Sequence, residues 1–261
     1  MDSEERADPW LLFCDRLRAA AMTVLGASDI KITAVGLAEP RIFAAALLSR
    51  TLSNYRGVIA MAKLGLLVEA RTLTRSCFEN VLWIRRLQAE GDVFVQAILA
   101  DHCHQDARFA KSLLPTSDVL DDEERDFLKG KASAKGGKRL FLSDGASADG
   151  AREDYILFKQ FSNEHAHTSA LSLSRHVALD PATGEVSLLV EPLVEEADLL
   201  MTLYYASAAV INLMKIYADV TGTRVPGEAI QTLVAELFDL AKGSGMNQPP
   251  EETSQWDRHD R

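Results

Sequence analysis

A chain of 261 residues, 47% of them apolar, has enough material for a sizeable core in one large domain or two small ones. Its formal net charge of −10 sets the surface as a whole against phosphate backbones, so general nucleic-acid binding is not expected. Cys14, Cys77 and Cys103 lie far apart without a C-x-x-C spacing, which argues against a zinc site or redox pair and reads as three small core residues.

The opening MDSEERADPW is acidic and lacks an apolar run behind basic residues, so the sequence predicts a cytoplasmic chain without a secretory leader. Asp8 and Pro9 fit an N-cap and first turn, predicting a helix through Trp10, Phe13, Leu17 and Met22 to about Gly26 that lids the rest. Ile30, Ile32 and Val35 alternate over too short a span to define a strand. Pro40 opens a second helix through Leu47, Leu52 and Ile59, broken at Gly65.

Residues 65 to 87 predict a central helix. Leu66, Ala70, Leu73, Cys77, Val81 and Ile84 form one stripe at 3.6-residue spacing, while Val68, Phe78 and Leu82 on the other side are interleaved with Arg71, Arg75 and Glu79. Charges held among hydrophobes must be paired and hydrogen-bonded, so this helix needs a polar partner elsewhere in the chain. Arginine four residues before glutamate is the weaker order for a local helical pair, and Arg75 is therefore expected to reach across to another segment.

After Gly91, residues 93 to 114 predict a helix bearing Asp101, His102, His104, Asp106 and Arg108. His102 and Asp106 share a face, but no ferritin-like E-x-x-H pair accompanies them, and the cluster reads as a solvated face. Residues 115 to 150 are acidic and then basic and glycine-rich, predicting a mobile excursion; GKASAKGGKR lacks the G-K-[ST] ending and preceding strand of a phosphate-binding loop.

A helix from Arg152 through Phe158 and Phe161 runs into SNEHAHTSALSLSRH, where Ser162, His165, His167, Ser169, Arg175 and His176 crowd into fifteen residues. This is the expected polar partner of the central helix. A β-hairpin follows at about 176 to 190, turning at Asp180, Pro181, Thr183 and Gly184. Residues 195 to 220 form a second, almost wholly apolar helix; Tyr204, Tyr205, Asn212 and Lys215 fit a buried helix better than a membrane span, and no membrane partner is expected. A last helix begins at Pro226 and stops at Gly243, leaving 244 to 261 as a disordered tail.

The pattern predicts an all-α fold, an antiparallel helical bundle with a small β-hairpin insertion, in a single domain over residues 1 to 243. Two motifs, G-x-x-x-E-A-x-x-L-x-R-x-x-F-E at Gly65 to Glu79 and H-x-S-x-x-x-L-x-R-H at His167 to His176, resemble a bacterial helical family of unknown function numbered five-six-seven-seven, over about residues 40 to 225. The resemblance implies an all-α fold and one motif set containing Arg75, Glu79, His167, Ser169 and Arg175, and assigns no activity.

Three readings follow. In the first, Arg75 and Glu79 tie the central helix to the His167 segment and the protein is a structural or interaction module, with its partner unnamed and homo-oligomerisation left open. In the second, Arg75, Glu79, His167 and Arg175 are catalytic groups of a metal-independent ribonuclease or nucleotidyl enzyme, with Ser162, His165, Ser169 and His176 as binding residues. Against it, the Arg-x(4 to 6)-His spacing of small helical toxin domains is missing. A third makes Glu69, Glu79, His165 or His167 metal ligands, but Arg75 would repel a cation one turn from Glu79, and no metal or cofactor is predicted.

Overall fold

The computed structural model describes residues 3–31, 34–116, 120–134, 139–145, 151–163, 170–192, 194–225 and 227–246. Among the described residues, nine α-helices and one hairpin run in the order α1 (Ser3–Gly26), α2 (Pro40–Lys63), α3 (Leu67–Glu90), α4 (Asp92–Leu113), α5 (Asp122–Ser133), α6 (Ala151–Phe161), α7 (Ala170–Ser174), β1 (Val177–Leu179), β2 (Val186–Leu188), α8 (Glu196–Thr221) and α9 (Gly227–Gly243). The chain is an all-α helical bundle carrying a two-stranded antiparallel hairpin.

Helix α3 lies against α2, α8 and α6, and α8 also receives α1 and α9. Gly65, with φ +71°, turns the chain between α2 and α3, and Gly91, with φ +55°, turns it into α4. A Cβ built on Gly57 would meet Leu73 Cδ1 at 2.6 Å, so a larger residue on α2 would require the Leu73 side chain of α3 to move. Ala70, Cys77, Phe78, Val81, Leu82, Ile84 and Leu87 are buried on α3, whereas Leu66 and Leu73 of the expected stripe are half-buried. The buried arc is therefore wider than one stripe and takes in Arg71, Thr74 and Asn80.

Several polar side chains in this core are paired between helices. Asn80 Nδ2 donates to Thr51 Oγ1 at 2.9 Å between α3 and α2, and the Tyr55 and Ser207 hydroxyls share a hydrogen bond of 2.7 Å between α2 and α8. Cys14 of α1 lies 3.6 Å from Ser207 Oγ. Burial pushes the Cys14 thiol up to about 11 and the Cys77 thiol up to about 12, which leaves both inert at neutral pH. An aromatic path runs Trp10, Tyr204, Tyr205, Phe161 and Phe78, with successive ring centroids 6.5, 5.3, 5.8 and 6.1 Å apart. Helix α8 is long and apolar enough to cross a membrane by length and composition, yet most of it is buried in the bundle, with Leu203, Ala206, Ala209, Val210 and Tyr217 fully covered.

Four expectations need correction. Helix α1 starts at Ser3 with Pro9 inside it, and it is a core helix rather than a lid: Trp10, Phe13, Cys14, Leu17 and Ala21 are buried. Cys103 is exposed, because it lies on the outer face of α4. Asp101 does not belong to a solvated face; it is buried and accepts from the Leu140 amide at 2.9 Å and from Gln105, while His102 stays exposed beside Asp106. Within the expected excursion, α5 forms and packs on α4. Asp121 and Glu124 make a reciprocal capping box, a signal that composition alone conceals.

Candidate functional site

The polar partners of α3 come from two directions. Arg71, in the second turn of α3, is buried, and its Nη2 lies 2.5 Å from Asp198 Oδ1 in the first turn of α8. Its Nε donates to Thr202 Oγ1 at 3.1 Å, and the Thr202 hydroxyl in turn donates to the Asp198 carbonyl at 2.7 Å. The second oxygen of Asp198 accepts from Arg175 Nη1 at 2.7 Å. One carboxylate is thus held between two guanidiniums from α3 and from the base of the hairpin. Burial raises the Asp198 pKa, but the Arg175 hydrogen bond and the Arg71 charge outweigh it, and the carboxyl titrates below its ordinary value.

One turn further along α3, Arg75 uses its edges separately. Nε donates to Ser162 Oγ at 2.8 Å, just beyond the end of α6, and Nη1 pairs with Glu79 Oε2 at 3.3 Å. Its guanidinium carbon stands 4.7 Å from the centroid of the Phe158 ring. Arg75 therefore both pairs locally and reaches across. Nearly three turns on, Arg85 Nε donates to Asp154 Oδ2 of α6 at 2.6 Å. Here burial dominates: the Asp154 carboxyl titrates above its ordinary value in spite of Arg85.

The hairpin hangs from this network. Arg175 stands two residues before β1; between them, His176 Nδ1 lies 3.0 Å from the Leu189 carbonyl and the Leu189 amide donates to the His176 carbonyl at 2.8 Å, closing the hairpin's base. At the tip, Asp180 Oδ1 accepts from the Ala182 amide at 2.8 Å, and Gly184, with φ +73°, completes the turn. The strands pair Val177 with Leu188, Ala178 with Ser187 and Leu179 with Val186.

Of the residues singled out by the sequence, Arg75, Glu79 and Ser162 come together, while Arg175 joins Arg71 on Asp198 and His176 serves the hairpin's base. His165, His167 and Ser169 lie outside the described residues. Glu69 is exposed, and among the described residues no three His, Cys, Asp or Glu side chains converge as metal ligands would. The residue missed was Asp198. Its signal was an acidic start, Glu195, Glu196 and Asp198, with Thr202 four residues after Asp198, at the head of an otherwise largely apolar helix.

The model of a family of unknown function, DUF5677, matches residues 41–185, more than half of the chain, and the protein belongs to that family. The match spans α2 to the tip of the hairpin, so it contains Arg71, Arg75, Glu79, Ser162 and Arg175 but neither Asp198 nor β2. No curated protein and no solved structure matches the chain.

Proposed function

Taking that family membership as the premise, we propose that this protein is an interaction module in which the α3 network is a positioning clamp and the hairpin is the presented element. The observation that carries the reading is the sharing of Asp198 by Arg71 and Arg175. Charge in the network is partly compensated: Asp198 lies between two guanidiniums and Glu79 pairs with a third, so two carboxylates face three arginines. Groups committed to each other in this way fix geometry and have little left with which to stabilise a reacting phosphate. A two-stranded hairpin is marginal on its own in water, and the Arg175 side chain, anchored to Asp198 two residues before the first strand, is what gives it a defined direction.

Hydrogen exchange tests this with Arg175→Met, which keeps the aliphatic stem and removes the charge. Peptides covering residues 175 to 190 should exchange at least about tenfold faster, while the buried parts of α3 and α8 keep their protection. Unchanged exchange in the hairpin would remove the clamp. Ribonuclease chemistry is the second reading, because three arginines gather along one side of α3. It would displace the first if the protein cleaved RNA and Arg75→Met abolished cleavage without lowering the melting temperature.

A further inference from the structure

Residues directly opposite each other in an antiparallel pair, and residues two apart along a strand, share one face. The register therefore sets Val177, Leu179, Val186 and Leu188 on the same side of the hairpin, with Val190 continuing in phase. All five are exposed, from 45% at Val177 to 95% at Val190. The opposite side carries Ala178 and Leu189, which are half-buried, and Ser187, which is exposed, so the aliphatic side is the more exposed of the two.

We propose that this face is the seat of a second copy of the same chain, packed hairpin to hairpin about a two-fold axis. The proposal rests on the module reading above and names its partner. The five side chains leave about 500 Å² of apolar surface in water, as much as the largest patch an ordinary monomer shows. Two such faces together would bury about 1,000 Å², the area at which a specific interface becomes tenable.

Charge selects the same partner. The nearest acids, Asp180, Glu185 and Glu191, are each one position out of phase with the apolar residues, on the alternate side of the ribbon. A face without charge gives a basic partner nothing to recognise, yet it lets two chains of net charge −10 meet there without bringing like charges together. Under a two-fold axis a flat aliphatic ribbon is complementary to itself, and homodimer interfaces are the more apolar class.

Sedimentation velocity of the full chain from about 1 to about 100 µM decides the matter. The wild type should form a dimer that strengthens when salt screens the mutual repulsion of the two acidic bodies. The doubly substituted Val186→Lys, Leu188→Lys chain should be at least about tenfold weaker in self-association with an unchanged melting temperature, since neither side chain is in the core. A wild type that stays monomeric throughout, or a dimer indifferent to the two lysines, overturns the proposal. The module reading is judged separately by the response of hairpin exchange to Arg175→Met, so a monomer whose hairpin loosens in that variant loses only the second copy.

Discussion

Asp198 and Asp154 are both carboxylates at the edge of the core facing an arginine of α3 or its extension, and their environments push them in opposite directions. Two guanidiniums hold Asp198 below its ordinary value of 3.8, so its contribution to stability is complete above that pH and is lost as the pH falls through the lower folded value. Asp154 has the reverse sign. Its folded form holds the proton more tightly than the unfolded chain does, so stability falls as the pH rises from 3.8 to its raised folded value and is level above it. Asp198→Asn should therefore cost about 2 kcal/mol at neutral pH, and Asp154→Asn about 1 kcal/mol or less, because the latter sheds a charge that burial already disfavours. Urea denaturation at pH 7 and between pH 3 and 5 measures both. Equal costs, or a flattened acid limb in the Asp154 variant and not in the Asp198 variant, would show that the two carboxylates have been assigned the wrong way round.

Helices bounded by Pro or Gly and carrying long apolar runs were legible in the sequence, and so was the hairpin, because Pro40, Gly65, Gly91 and the Asp180 turn act locally. What depended on partners far along the chain was not. Arg71 is as charged as Arg75 in the sequence, and only the approach of α8 makes it the buried one. Asp101 sits in a polar run and looks solvated until the Leu140 amide arrives to use it. Helix α5 was hidden for a different reason: a short helix without a broad apolar stripe depends on its cap, and composition does not register one. Asp121→Ala removes the side-chain acceptor for the Glu124 amide and should weaken α5 by about 1 kcal/mol. Since α5 rests chiefly on α4, the effect belongs to that element: exchange of residues 122 to 133 should quicken while the global melt stays in place. A drop in the global melting temperature would mean that α5 is coupled to the core more tightly than its packing shows.

At the scale of the molecule, the span that defines the family and the span that folds are different things. Residues 41–185 carry α2 to α7 and β1, and therefore the arginines of the network. They leave out α8, against which α1, α2 and α3 all pack, and with it Leu203, Ala206, Val210, Leu213 and Tyr217. They also leave out α1, whose Trp10 indole donates to Ser244 at 2.9 Å and joins the first helix to the end of the last. A fragment cut to 41–185 would expose the inner faces of α2 and α3 and strand Arg71 and Arg175 without Asp198. An uncovered apolar face on that scale removes tens of kcal/mol of burial, far beyond the 5–15 kcal/mol by which a domain is ordinarily stable. We expect the fragment to retain helical far-ultraviolet dichroism, to lose near-ultraviolet structure, and to melt without a cooperative transition, whereas residues 1–246 melt in one. A sharp, reversible melt of the 41–185 fragment would show instead that α2 to α6 form a core of their own and that α1 and α8 are additions to it.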